Sequence, residues 1–345
     1  MLNERTILVT GATGSFGKAF VRTVLERAKP RRLIIYSRDE LKQYEMAQDL
    51  RPEEHRCLRY FIGDIRDLPR LKRAMEGVDY VVHAAAMKHV PIAEYNPFEC
   101  INTNIIGSEN VINAAIDAGV KRVIALSTDK AANPINLYGA TKLAADKCFI
   151  AANHLSGKRG TRFSVVRYGN VLGSRGSVVQ HFQKLLREGK TEVPITDKRM
   201  TRFWITLDQG VDFVLDRLAA MTGGELFIPK IPSMRITDLA TAIAPELQQV
   251  EVGMRPGEKL HEVLLPENES RHALEFSDHY TIEPAFSWWN REEHLVERGE
   301  VGRPVQEGFE YASDTNTEWL DDEQLMRMIG GDTRMTAPHL PRLVG

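Results

Sequence analysis

The chain has 345 residues, and its 45 Lys and Arg nearly balance 47 Asp and Glu, for a formal charge of −2. That length allows one large domain or two fused lobes, and the even charge gives no global basic face, so nucleic acid is excluded and a small ligand is expected. Cys57, Cys100 and Cys148 are widely spaced with no CxxC or Cys/His grouping, which excludes a disulfide framework and a zinc site and points to a reducing compartment.

In chain order, Met1 to Arg5 leads into a short apolar strand and has no signal-peptide layout. No later apolar run reaches the length of a bilayer span, so a soluble, cytoplasmic protein without membrane attachment is expected. Apolar runs at Thr6–Thr10, Arg32–Tyr36, Cys57–Ile62, Tyr80–Ala84, Arg122–Ser127 and Phe163–Arg167 alternate with amphipathic helical segments. This rhythm predicts an α/β fold, a doubly wound parallel sheet of the Rossmann type over residues 1–168. A helix is expected from about Asn104 to Ala118, with Gly119 as its stop. After about Tyr168 the pattern becomes irregular, and polar segments rich in Gly or Pro alternate with helices. Residues 169–330 are therefore expected to form a smaller α/β substrate-binding lobe, partly interleaved with the first domain. A polar stretch from about Pro266 to Gln306 is expected along the surface, and residues 331–345 as a loose tail.

Thr10 to Gly17 follows the first strand directly and opens a helix. Gly11 permits a tight turn, Gly14 lets backbone approach a pyrophosphate, and Gly17 permits close helix-to-strand packing; Thr13, Ser15 and Phe16 fill the loop between. Three glycines also fit a plain tight turn, but the strand before and the helix after favour a dinucleotide site with a helix N-terminus aimed at phosphate. At the end of the second strand, Ser37-Arg38 offers a guanidinium for a 2′-phosphate, which favours NADP, while Asp39 leaves NAD open and Lys42 follows one turn later. Asp64 and Ile65 after strand three are candidates for the adenine edge. Ala84 and Ala85 after strand four give cofactor backbone room to pass, and Lys88 is a candidate for phosphate or ribose. His83 is more simply a packed histidine than a catalyst.

Ser127-Thr128-Asp129-Lys130, followed by Tyr138 and Lys142, gathers a hydroxyl, a carboxylate, an amine and a Tyr-x-x-x-Lys pair. Tyr138 and Lys142 lie one helical turn apart, so both can face a cofactor. An adjacent ammonium favours the phenolate, which can then accept a hydroxyl proton while hydride leaves the same carbon. The plainer alternative for Asp129-Lys130, a solvated charge pair at a strand end, is disfavoured by the groups around it.

TGxxGxxG, YxxxK and the strand order resemble the extended short-chain dehydrogenase/reductase superfamily. Within it, SRDELKQ, GDIRD, AAAMKHVP, NTNIIGSENV, STDKAANPIN, YGATK, RYGNVLGSRGS, MTRFWI and RPGEKLHE resemble the inverting UDP-N-acetylglucosamine 4,6-dehydratases, over residues 4 to about 330. The resemblance implies a hydro-lyase that uses NADP and UDP-N-acetylglucosamine, acts first in pseudaminic acid synthesis for flagellin or surface polysaccharide, and forms a homo-oligomer, a dimer or hexamer. It also implies roles. Tyr138 takes the C4 hydroxyl proton with Lys142 beside it, Thr128 binds that oxygen, Lys130 removes the C5 proton as a neutral amine, and Asp129 protonates the departing C6 hydroxyl. Retaining relatives carry Thr-Asp-Glu where this chain has Thr128-Asp129-Lys130, so Lys130 is expected to set inversion at C5. Asn170, Arg202, Arg255 and Glu258, with Lys88, are the implied contacts to the nucleotide sugar. Trp288-Trp289 is expected in a core or subunit contact. A related dehydratase of N-acetyl-L-fucosamine or capsule synthesis remains open, as does a non-catalytic NADP sensor on this fold.

Overall fold

A computed structural model describes residues 1–174, 176–286, 289, 296–297 and 299–330. The chain divides into two compact units, Met1–Arg167 with Val211–Phe227 and Glu283–Asn290, and Tyr168–Gly210 with Ile228–Ile282 and Arg291–Gly345.

In the first unit, strands β1 (Thr6–Thr10), β2 (Arg32–Ser37), β3 (Leu58–Ile62), β4 (Tyr80–His83), β5 (Arg122–Thr128) and β6 (Arg162–Tyr168) alternate with helices. The helices are α1 (Ser15–Arg27), α2 (Glu40–Asp49), α3 (Leu68–Met75), α4 (Val90–Tyr95), α5 (Pro97–Ile101), α6 (Gly107–Ala118) and α7 (Leu137–Leu155). The strands lie in the order β3-β2-β1-β4-β5-β6, and β2/β3, β1/β2, β1/β4 and β4/β5 pair in parallel. Helices covering both faces explain why β1 and β4 are buried at every position instead of alternating. The order turns back at β1, which opens a crevice beyond the carboxyl ends of β1 and β4, where doubly wound sheets bind ligands.

The observed strand ends lie within one residue of those expected from the sequence. The helix expected from Asn104 begins its α-helical part at Gly107, because Asn102–Ile106 form a π-turn leading into it. Gly119 closes α6 at φ 67°, a left-handed conformation that suits glycine.

The second unit is built around Trp204, Met200, Phe182, Leu239 and Leu325. Strand β7 (Asn170–Val171) pairs in parallel with Thr201–Ile205, which also pairs antiparallel with Ser233–Arg235. The stretch after Pro266 does not simply line the surface. It contains two antiparallel strands, Ala273–Glu275 and His279–Ile282, in which Leu274, Tyr280 and Ile282 are buried. Polar residues enter this packing because they are paired: His279 contacts Asp278 at 2.6 Å and stacks on Phe276. Trp288 and residues 331–345 lie outside the described residues, while Trp289 donates from Nε1 to Glu283 at 3.0 Å. No helix among the described residues is long and apolar enough to cross a membrane.

At the amino ends of the strands, Asp79 gathers several partners. Its carboxylate accepts from the Thr6 N–H at 2.9 Å and faces Lys121 at 2.9 Å, Arg5 at 3.5 Å and Arg31 at 3.7 Å. Burial alone raises such a carboxyl, but the Thr6 N–H, Lys121 and Arg5 outweigh it and hold Asp79 below its ordinary value. A depressed folded-state value stabilises the fold in full above the unfolded carboxylate value, about pH 4, and this is lost as pH falls below that through the lower folded-state value. Asp79→Asn is therefore expected to lower the thermal midpoint near neutral pH, and the gap from the parent should narrow progressively as the pH is taken below about 4. Thermal unfolding of both proteins across that range checks it.

Candidate active site

The crevice between β1 and β4 meets the steric needs of a dinucleotide. Gly11 has φ 64°, and a Cβ there would fall 2.8 Å from Ala85 N. Thr10 Oγ1 accepts from the Ala84 and Ala85 N–H groups at 3.2 and 3.3 Å, which fixes the small-residue loop opposite Gly11. Gly14 is the N-cap of α1 with no side-chain cap, and Ser15, Phe16 and Gly17 form its first turn. A Cβ on Gly17 would meet Ala12 backbone at 2.4 Å, so only glycine lets α1 sit this close to the loop. His83 is a packed histidine: it contacts Thr10 Oγ1 at 2.8 Å and Ser108 at 3.4 Å, and burial pushes it down to about 3. It is therefore neutral at ordinary pH and cannot serve as a cationic acid.

The end of β2 is a second cluster. Thr13 donates to Ser37 Oγ at 3.1 Å, and Gln43 donates to Ser37 O and Phe61 O at 2.9 Å each. Asp39 caps α2 by accepting from Lys42 N, and its carboxylate pairs with Lys42 Nζ at 2.7 Å. Those Lys42 contacts hold Asp39 below the usual carboxylate range. Arg38 remains 61% exposed in its side chain, 3.8 Å from Asp64, whose main partner is Arg66. Ile65 is buried against Gly107 and accepts from Asn110 through its carbonyl.

The third cluster joins β5 to α7. Thr128 donates to Asp129 Oδ1 at 2.7 Å, and Lys130 Nζ donates to the same oxygen at 3.0 Å. Asp129 is 1% exposed and Lys130 26%, so the pair opens to solvent only on the amine side. Tyr138 lies in an apolar nest with Ala93 and Cys100 and is hydrogen-bonded to Thr128. Burial pushes its phenol up to about 12, while the Lys130 charge and the Thr128 hydrogen bond pull the other way. Lys142 is buried and donates to Leu126 O at 2.7 Å; burial lowers its ammonium, and Asp146 opposes that. Lys88 feels both partial burial and the Lys130 charge, which together push it below its usual range. Thr128, Asp129, Lys130, Tyr138, Lys142 and Lys88 are thus brought together.

Four expected contacts belong to the second unit. Asn170 sits on β7 opposite Trp204. Arg202 is buried, and its guanidinium donates to Thr201 O, Leu260 O and Lys259 O, with Glu262 3.6 Å away. Arg255 remains 65% exposed, with Glu258 holding its backbone N–H at 3.3 Å and its side chain at 3.8 Å.

Several contributors were not singled out from the sequence. Asn104 accepts from Met87 N and donates to Met87 O and to Thr141, tying the Ala84–Lys88 loop to α7. Gly139 faces the Lys130 carbonyl so closely that a Cβ would fall 2.1 Å from it. The only signals were an Asn inside an apolar helix and a Gly inside YGATK.

A family described as polysaccharide biosynthesis protein matches residues 7–284. The chain is 56% identical over 331 residues to the UDP-N-acetylglucosamine 4,6-dehydratase (inverting) of Campylobacter jejuni, covering 95% of this chain and 98% of that protein. It is 38% identical over 336 residues to the UDP-glucose 4-epimerase of Rickettsia rickettsii, covering 95% and 96%. Among solved structures, the protein Pen from Bacillus thuringiensis superposes with TM-score 0.86 at 36% identity, covering 96% of this chain and 99% of that one. DesIV, a dTDP-glucose 4,6-dehydratase from Streptomyces venezuelae with NAD bound, superposes with TM-score 0.65 at 25% identity, covering 74% and 86%.

Gly139→Ala should force the Lys130 carbonyl and α7 apart, because backbone rather than a flexible side chain occupies the space. A loss of about 1–3 kcal/mol is expected, seen as a lower urea midpoint at unchanged slope.

Proposed function

This chain belongs to the polysaccharide biosynthesis protein family and to its inverting UDP-N-acetylglucosamine 4,6-dehydratases, and we propose that it removes water from UDP-N-acetylglucosamine with inversion at C5. The observation that carries this is the 3.0 Å contact of Lys130 Nζ with Asp129, beside the hydrogen bond between Thr128 and Tyr138. A dehydration needs an acid and a base on neighbouring carbons, and those four groups supply both.

NADP is the proposed cofactor: Gly11, Gly14 and the first turn of α1 would cradle its pyrophosphate, Ala84 and Ala85 would give it passage, and Arg38 would grip its 2′-phosphate. When bound, it supplies the hydride acceptor for C4 and the donor for C6. The protein's own groups handle protons. Tyr138, as phenolate, accepts the C4 hydroxyl proton, and Thr128 holds that oxygen. Burial opposes this ionisation, so the positive charges around the phenol matter: Lys130 is already the first of the groups that lower it.

The Asp129–Lys130 pair carries one shared proton. Its passage across the 3.0 Å contact converts carboxylate and ammonium into carboxylic acid and amine. That neutral form is the one elimination requires: the amine takes the C5 proton next to the ketone, and the acid protonates the departing C6 hydroxyl. Water leaves and the ion pair is regenerated. With the hydride that the bound cofactor would return to C6, a proton delivered to C5 from solvent on the opposite face would give the L-arabino 4-ketosugar, the first intermediate on a pseudaminic acid route.

Asn170 and Arg255 with Glu258 are proposed for the nucleotide sugar. Arg202 has a second task, since its donors hold the Lys259–Leu260 backbone just beyond Arg255. A 4-epimerase uses only the tyrosine, the threonine and the cofactor, and would leave Asp129–Lys130 idle.

Incubation with UDP-N-acetylglucosamine should release one water per turnover, and proton NMR in D2O should give an L-arabino product labelled at C5. Retained D-xylo geometry, or an isobaric epimer, would sink the proposal. Lys130→Met should lower kcat at least about 100-fold. Arg38→Ala should weaken NADP by about 1.5–3 kcal/mol in titration calorimetry and leave NAD binding unchanged.

A further inference from the structure

Two side chains of α7, one turn apart, reach consecutive residues at the end of β5. Lys142 Nζ donates to Leu126 O at 2.7 Å, and Asp146 accepts from Ser127 Oγ at 2.6 Å. Leu126 and Ser127 immediately precede Thr128, Asp129 and Lys130. Asp146 is 1% exposed and Ser127 6%, and Arg167 on β6 is fully buried with Nη2 3.7 Å from the same carboxylate oxygen.

This arrangement is costly unless its charges balance, because a buried ion must be paired. Asp146 pairs with Arg167 and also favours the charged form of Lys142 against burial. Charge balance alone accounts for Arg167. It does not account for the short hydrogen bond to Ser127, which ties the helix to the residue next to Thr128.

We propose that Ser127 and Asp146 are positioning residues for the dehydration, whose hydrogen bond sets the offset between the strand end bearing Thr128, Asp129 and Lys130 and the helix bearing Tyr138 and Lys142. The proposal rests on the function assigned above. Both side chains are buried, and neither is assigned a contact with the sugar. Both act through the distance from Tyr138 to the C4 hydroxyl while Lys130 is held over C5, and a misplacement of about 1 Å in such geometry costs roughly 100-fold in rate.

Ser127→Ala in the full-length chain is the test, because it removes the hydroxyl and leaves the Asp146–Arg167 pair in place. With UDP-N-acetylglucosamine and NADP, kcat is expected to fall about tenfold or more, while KM and NADP affinity stay within about threefold of the parent. Ser127→Thr, which restores the hydroxyl, should recover most of the loss. Asp146→Asn added to Ser127→Ala should cost less than the product of the two single effects. A Ser127→Ala enzyme with kcat within about twofold of the parent overturns the proposal, as does a loss matched by weaker NADP binding and a collapsed thermal midpoint. A parent chain that releases no water instead defeats the functional assignment, and this proposal with it.

Discussion

The chemistry of the first unit depends on how closely helix α7 approaches the end of strand β5. Gly139 lies against the Lys130 carbonyl, in a space that no Cβ can share. That approach lets Tyr138 hydrogen-bond to Thr128 across the junction and lets Lys142 reach Leu126 O. A strand and a helix brought together only by apolar packing would tolerate a sliding error, since dispersion and burial are non-directional. Hydrogen bonds between named atoms at 2.6 and 2.7 Å do not. The site is thus held by directional contacts on rigid elements, as reaction geometry demands.

Charge is arranged in two tiers around that junction. Asp146 and Arg167 form an inner pair shut off from solvent, while Asp129 is buried but its partner Lys130 is a quarter exposed. The inner pair has no route for a proton from water, which suits a fixed electrostatic support. The outer pair has such a route on the amine side alone, which suits a group that must exchange protons during turnover. The different tasks proposed for these two Asp residues thus rest on their surroundings, the general pattern by which one fold separates acid, base and scaffold.

Much of this was legible in the sequence because it follows from local pattern. Continuous apolar runs marked the strands of a sheet covered on both faces, and the glycine loop and the spacing of Tyr138 and Lys142 placed chemistry at strand and helix ends. What stayed hidden depends on contacts between residues distant in the chain. Asn104 reads as the first residue of a helix until its side chain is seen to hold Met87, seventeen positions earlier. Arg202 reads as a free guanidinium until three carbonyls are seen to occupy it. The segment after Pro266 reads as surface because its polar residues outnumber its apolar ones. Pairing of His279 with Asp278 brings it inside, and no periodicity encodes that pairing.

The end of β2 shows how the same interplay bears on the proposed preference for a 2′-phosphate. An acidic residue after the second strand serves NAD only if its carboxylate is free to accept from ribose hydroxyls. Asp39 already accepts from Lys42 N as the cap of α2 and pairs with Lys42 Nζ, and these contacts stabilise its charge where it stands. Turning it toward a ribose would break the cap and the ion pair together, and caps of this kind contribute about 1 kcal/mol. Arg38 faces the opposite situation. Its side chain is mostly in solvent, and Asp64, its neighbour at 3.8 Å, is engaged by Arg66 at 2.8 Å, so reorienting Arg38 toward a phosphate sacrifices little. The asymmetry lies less in which residues are present than in what each must give up to bind.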